Sequence, residues 1–517
     1  MREKSKKIFI FVFSKVPQCI IIIAEVMLMN VKSKLVHVSA FVLFSGICAV
    51  FIASSFGLDL DVLWHIKMGK DIFETGRVST ENYYSWIENT YWNQQEWLYD
   101  LFLYVVIKYA DIWGFCLIHA LAQALLFLLG YKLSKPENVI LYSLLFCVLF
   151  DIFPSAYMNR PSEYSTFAFI LFMYLFSKSN YKYLCVYFSI GIFMANFHCG
   201  TAFVLIAFLV LQLLIYIIAS IFTKEKIENL KYHFSGLLLF ALGCFINPCG
   251  PRQLYNMFTA VGLETLKYIE EWKPLATNNY VPIIGLMIVI MSFSYNLKNW
   301  KRDDIYNIAL MSAFFTLMIS SVRGSTVFMY LYFCYGYKYT EKFLCDFADL
   351  FSKPSDWMFF DIKFGKREFI SIIISGVLTS CLIFSIKGNF DFNKFIDVKS
   401  REYISSEIID YLKANNGKKL LNSYSDGNVL LWNDVKVFVD TRQHPYSKEF
   451  EYASSMDDMI DMVWCKDKDV MNEYFDEYDF DEVLCDKDFL DISWYMNTRD
   501  DFECLYKTDK SELWVKK

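Results

Sequence analysis

The chain has 517 residues, 55% hydrophobic and 19% aromatic, with a mean hydropathy of +0.30. A soluble globular domain does not normally carry so much apolar surface, and a polytopic membrane protein does. The net charge of −6 is small and the basic residues are scattered, which argues against a nucleic-acid partner. The fourteen cysteines show no CxxC pair and no cysteine–histidine metal spacing. Most lie in apolar runs as small hydrophobes, and Cys465, Cys485 and Cys504 do not make a disulfide framework. Abundant lysine, asparagine, tyrosine and isoleucine point to an AT-rich bacterial genome.

In chain order, residues 1–36 come first as a cytoplasmic or interfacial segment. The apolar run at 8–29 contains Pro17 and has no small-residue cleavage site, so neither a span nor a cleaved signal is expected there. Hydrophobic runs of near-spanning length follow at 37–56, 115–132, 139–155, 163–177, 183–197, 200–222, 233–249, 281–297, 305–322, 325–343 and 368–387. Lys132 and Lys135, Lys178 and Lys182, Lys224, Lys226 and Lys231, and Lys298, Lys301 and Arg302 fall in alternate loops, and the loop at 344–367 continues the alternation. Basic loops mark the cytoplasmic side, which places 57–114, 156–162, 250–280, 323–324 and everything after 388 outside. Residues 97–112, which are short and carry Asp100 and Lys108, read as an interfacial helix on the outer leaflet. The expected architecture is a polytopic α-helical module over 37–387, with about eleven spans, in the plasma membrane with its amino terminus inside. An extracytoplasmic α/β domain over 388–517 follows, with strands at "KKLLNSY", "VKVFVD" (a central strand), "DEVLC" and "SELWVKK" and helices at 401–414 and 447–464.

Several short stretches carry chemistry-bearing residues in a fixed order. "DLDVLWHIKMG" opens at 59, "ENYYSW" at 81, "YWNQQEWL" at 91, "NRPSEYS" at 159, "NFHCG" at 196, "NPCG" at 247, "EWKP" at 271 and "VRG" at 322; "NSYSDGNVLLW" and "VKVFVDTR" follow in the tail. In this order the chain resembles the polyprenyl-phosphate-sugar-dependent glycosyltransferases of the GT-C fold. More narrowly, it is similar to bacterial members related to protein O-mannosyltransferases and lipid A aminoarabinose transferases. In that family an aspartate follows the first span and opens a helix that ends at a glycine fifteen positions on, as Asp61 and Gly76 do here. Many relatives carry a second acid directly after that aspartate; here Val62 stands there, and the extra acid is Asp59, two places earlier. The resemblance implies a membrane-embedded enzyme with a lipid-linked sugar donor and an acceptor (glycan, lipid or protein) on the outer face.

Sugar transfer from a lipid phosphate needs a base for the acceptor's proton and positive charge for the departing phosphate. Asp61 is the expected base. On a helix starting near residue 62, His65 and Met68 share its face at intervals of four and seven. The bland alternative is that Asp59 or Asp61 caps that helix. The D-x-D spacing is also compatible with a divalent cation held by Asp59 and Asp61, though no other ligand set accompanies it. Glu96, at the head of the interfacial helix, is the second acid, with helix-start stabilisation as its alternative. For the phosphate, Arg160, Arg252 and Arg323 stand at outer span ends, where an arginine is costly unless paired with something anionic. His198 either reaches the cavity or is hydrogen-bonded in the bundle, and Arg442 either closes the cavity from the tail or makes an internal salt bridge. Trp64, Trp92 and Trp97 are the expected sugar-stacking rings. A carrier or flippase for lipid-linked sugars would explain the outer edge but not the large first loop. A ligase-like enzyme would differ mainly in its substrates, and an inactive GT-C-like scaffold is the reading Val62 encourages.

Overall fold

The computed structural model describes residues 60–349 and 404–517, apart from 89–90, 137–141, 143–144, 147–148, 150–159, 178–180, 225–229, 262, 264–271, 275–282, 284, 291–301, 451–452 and 488. The expected segment 1–36, the first span, the last span and Asp59 lie outside the described residues. The chain divides into two compact units. Of the smaller (Met1–Ser55, Glu137–Cys147 and Pro354–Gly388), only Tyr142, Leu145 and Phe146 are described. The larger comprises Phe56–Pro136, Val148–Lys353 and Asn389–Lys517 and holds all the elements named here.

Helix α1 (Asp61–Thr75) buries Val62, Leu63 and Ile66 and closes at Gly76, whose φ of 67° is the left-handed geometry that glycine adopts without cost. It lies against α2 (Trp97–Ser134) at Gly69, where a Cβ would come within 2.0 Å of the Asp100 carbonyl oxygen. That close crossing sets His65, one turn before Gly69, beside Asp100, one turn into α2. Helical geometry breaks inside α2 at Asp111 (φ 53°, ψ −170°). The break falls at the boundary expected between an interfacial helix and the following apolar run.

Four apolar helices follow: α3 (Pro161–Ser177), α4 (Leu184–Phe197), α5 (Cys199–Thr223) and α6 (Leu230–Cys244). A Cβ on Gly191 would come within 2.3 Å of the Phe240 carbonyl oxygen, so α4 and α6 touch backbone to backbone. Tyr99, Phe102, Tyr164 and Phe197 interlock edge to face and join α2, α3 and α4. Among the described residues α5 is the helix long and apolar enough to cross a membrane, with a mean hydropathy of 2.9 over its best window. Its Leu214, Ile218, Ile221 and Phe222 are left exposed, as are Phe234, Leu238 and Leu242 of α6. Among the described residues the helical part also includes α7 (Pro251–Val261), α8 (Arg302–Ser320), α9 (Val322–Leu331) and α10 (Tyr337–Asp349).

The C-terminal region is α/β. Its helices are α11 (Ser406–Ala414), α12 (Tyr424–Trp432), α13 (Ser455–Trp464), α14 (Lys468–Tyr478) and the short α15 (Ser493–Met496). The strands β1 (Leu420–Leu421), β2 (Glu482–Asp486), β3 (Phe502–Lys507) and β4 (Ser511–Lys516) form one sheet in the order β1-β2-β4-β3. β1 runs parallel to β2, and the other pairings are antiparallel.

"VKVFVD" is not the central strand expected; the inner places belong to β2 and β4. The reason is that its backbone bonds are already taken. The Asn422 side chain accepts from the Phe438 amide at 2.8 Å and donates to the Val439 carbonyl at 2.9 Å, where a neighbouring strand would otherwise bind. On the other side Val437 pairs with the first loop, donating to the Tyr84 carbonyl at 3.0 Å and accepting from the Trp86 amide at 3.3 Å. Trp86 then stacks on Phe438 at 5.5 Å and donates its indole N–H to the Leu420 carbonyl at 2.9 Å. The first loop and the C-terminal region thus share one core.

Candidate active site

Asp61 stands in the first turn of α1, where the residue at the cap position, Leu60, offers no side chain to the free amides. Its own side chain is turned to other side chains. Arg160, which directly precedes α3, holds Oδ2 at 3.1 Å through Nη2. Asn428 donates to Oδ1 at 3.2 Å, and the Thr441 hydroxyl donates to the same oxygen. Burial works against the charge. The Arg160 guanidinium, the Thr441 hydroxyl, His65 and Arg323 outweigh it and hold the carboxyl below the usual carboxylate range.

One turn along α1, His65 meets Asp100 (Nδ1 to Oδ1, 2.5 Å), and Gln94 donates to the other Asp100 oxygen at 2.8 Å. Burial disfavours the imidazolium, but the hydrogen bond to Asp100 and the charges of Asp100, Glu96 and Asp61 raise the pKa of His65 above its ordinary value. Its free edge, Nε2, is 3.8 Å from Glu96. On the other side of Glu96 stands His198, Nε2 to Oε1 at 3.3 Å. His198 caps α5: its Nδ1 accepts the Thr201 amide at 3.3 Å, which puts the ring hydrogen on Nε2, facing Glu96. Burial, reinforced by Arg323, His65 and Arg160, lowers its pKa to about 3, so the ring is neutral. Between these two rings burial pushes the Glu96 carboxyl up to about 7, with His65 opposing and Asp100 adding to the rise.

The structure therefore brings together Asp61, His65, Glu96, Arg160 and His198, with Arg323 acting on Asp61, Glu96 and His198 from α9, where its guanidinium lies 4.9 Å from the Trp272 ring. The residues expected at the site are placed as follows. Arg160, expected to meet the phosphate, grips Asp61 directly, as a poorly solvated guanidinium grips the nearest anion. Arg442 takes the internal of its two readings: it is buried on Asp440, Asn82 and Tyr446 and lies 4.2 Å over Trp92. Arg252 sits over Tyr91 at 4.2 Å and exerts its charge on His444. Trp64 is no open stacking platform but is buried, its ring 3.6 Å from His65 and edge-on to Trp92 at 5.7 Å. Trp97 donates to Asn196 at 2.8 Å and ties α2 to the end of α4.

Sequence reading missed Asp100, Asn428 and Thr441. Asp100 was findable, since it lies one turn after Glu96 and so on the same face. Among the described residues no three acidic, histidine or cysteine side chains are arranged to hold a metal ion. Both Asp61 oxygens already face donors, a poor setting for the divalent cation with which the D-x-D spacing is compatible.

The unequal proton affinities of Glu96 and Asp61 give a stability test. The contribution of neutral Glu96 is complete below pH 4.5 and is lost as pH rises through about 7. Relative to Glu96→Gln, the parent should lose up to about 1.4 kcal/mol per pH unit across that window. Thermal unfolding in detergent at pH 4.5, 6 and 8 reads this, and parallel curves for the two proteins would refute it.

No protein-family model matches the chain, and no curated protein matches its sequence. The fold, however, is similar to solved structures of the oligosaccharyltransferase of Archaeoglobus fulgidus. Against the apo form the TM-score is 0.51 at 10% identity, covering 87% of this chain and 69% of that one. Against the form tethered by a disulfide to an acceptor peptide containing the NVT sequon it is 0.50 at 10% identity, covering 88% and 69%. At this identity the likeness is one of fold.

Proposed function

We propose that the chain is a GT-C-type glycosyltransferase of the plasma membrane, moving a sugar from a polyprenyl-phosphate-linked donor to an acceptor on the outer face. The observation that carries the reading is the carboxylate–guanidinium pair Asp61–Arg160 at the start of α1, beside Glu96 and its two histidines, in a fold similar to an oligosaccharyltransferase. The reading keeps about eleven spans, with the loop at 57–114 and the C-terminal region outside. The uncovered apolar faces of α5 and α6 support lipid contact.

Two carboxylates with divergent proton affinities mark a division of labour. Asp61, anionic at neutral pH, orients the acceptor and shares Arg160 with the phosphate that departs. Glu96, near neutrality, is the better proton acceptor, so the base's role expected of Asp61 passes to it. Arg323 supplies the second positive charge for the leaving group. In chemical terms, the acceptor oxygen forms a bond to the anomeric carbon, the carbon–phosphate oxygen bond breaks, and the acceptor's proton goes to Glu96.

Mass spectrometry of surface glycans and of extracted polyprenyl lipids, in cells with and without the gene, tests this. Loss of one sugar from the glycans, with its lipid-linked form accumulating, is the expected result. Unchanged glycans and lipids would end the proposal.

A further inference from the structure

The partners of Asp61 come from both ends of the described chain. Asn428, fully buried on α12, and Thr441, at the end of the 435–441 segment, lie 367 and 380 residues away from it in sequence. Their hydrogens can be assigned. The Asn428 amide has two: one goes to the Thr441 oxygen at 2.8 Å and one to Asp61 Oδ1 at 3.2 Å. The hydroxyl has one, which must point at Asp61. Turned instead to Asn428 Oδ1, 3.0 Å away, it would leave a lone pair facing the carboxylate. The pair is also rigidly mounted. A Cβ on Gly427 would come within 2.3 Å of the Val439 carbonyl oxygen, so α12 rests directly on the segment carrying Thr441, which Asn422 holds from behind.

Resting on the reading of Asp61 as a catalytic carboxylate, we propose that Asn428 and Thr441 are its positioning residues. They fix Oδ1 and hold the group ionised, while Arg160 holds Oδ2. The C-terminal α/β region is then part of the catalytic site and not merely a cover over it. A structural anchor alone would keep the two parts of the chain together, and its loss would lower the amount of folded protein. A positioning pair instead sets the rate per folded molecule, because it fixes where the carboxylate stands.

The test is made in cells lacking the gene and complemented with variants, measuring the glycan that the gene restores as a function of external pH. With Thr441→Val or Asn428→Ala, the glycan appears about tenfold more slowly on the plateau above the acid limb that Glu96 sets, one hydrogen bond's worth of positioning, and the limb itself stays where the parent's is. Thr441→Ser, which keeps the hydroxyl, follows the parent. His65, Arg160 and Arg323 act on the same carboxyl in every variant, so the difference between variants isolates the lost donor. The inference fails if Thr441→Val keeps the parent's plateau rate per folded molecule, or if Thr441→Ser is as impaired as Thr441→Val at every pH. It fails also if Thr441→Val and Asn428→Ala both yield no folded protein in detergent gel filtration, since a structural role would then account for both residues. An Asp61→Asn protein that restores the glycan fully would instead remove the reading beneath the inference.

Discussion

Replacing Asp61 by asparagine is expected to lower sugar transfer about a hundredfold or more, with the protein still made and folded. The amide is nearly isosteric, so the shape of the site survives. What changes is charge and hydrogen-bond direction. Arg160 loses its anion, and the asparagine must present either an oxygen or an NH2 group to partners that all donate. Asp61→Glu keeps the charge but moves it along one more carbon–carbon bond, and should fall at least tenfold because Asn428 and Thr441 are mounted for the shorter side chain. Both are read as the rate at which the gene-dependent glycan appears in complemented cells, normalised to protein in the membrane. An Asp61→Asn rate within a few-fold of the parent would mean that the carboxylate is a structural tie between α1 and the C-terminal region.

The largest loss of stability is expected at Arg442. Its guanidinium is buried against Asp440, itself fully buried, and also donates to Asn82 and Tyr446. Arg442→Ala leaves the Asp440 charge without its partner, which costs about 3–5 kcal/mol. It also removes the cation lying over Trp92. Arg442→Lys should not rescue it, since an ammonium lacks the planar fork that meets both Asp440 oxygens. The double variant with Asp440→Asn should recover part of the loss, because no orphaned charge remains. Tryptophan fluorescence during thermal unfolding in detergent decides this; an Arg442→Ala protein within 1 kcal/mol of the parent would contradict it.

Much of the helical site was legible because its signals are local. Asp61 and His65 are one helical turn apart, Gly76 ends that helix with a left-handed residue, and Glu96 heads the next helix. The break at Asp111 falls where the apolar pattern changes character. The C-terminal region was harder to read. "VKVFVD" has the composition of a strand, and its Val437, Phe438 and Val439 are all fully buried, as a central strand's would be. Only the reach of Asn422 across sixteen or seventeen positions, and the pairing of Val437 with the first loop, deny it a place in the sheet. Arg442 could be read equally as substrate-facing or as internally paired, because a sequence does not say which way a side chain turns. Asn428 and Thr441 lay beyond any periodic or spacing argument: nothing near them in sequence refers to Asp61.

The distance along the chain from Asp61 to Thr441 also orders events in time. Synthesis at roughly 5–20 residues per second leaves about 20–75 seconds between the two. During that interval the carboxylate can already meet Arg160, which comes soon after it, while its other oxygen has no protein donor from downstream. The ribosome has therefore passed every apolar helix described before the site acquires its last two hydrogen bonds. On the proposed reading, the carboxylate is fully positioned only once the C-terminal region has been made, so the helical part alone does not hold a finished site.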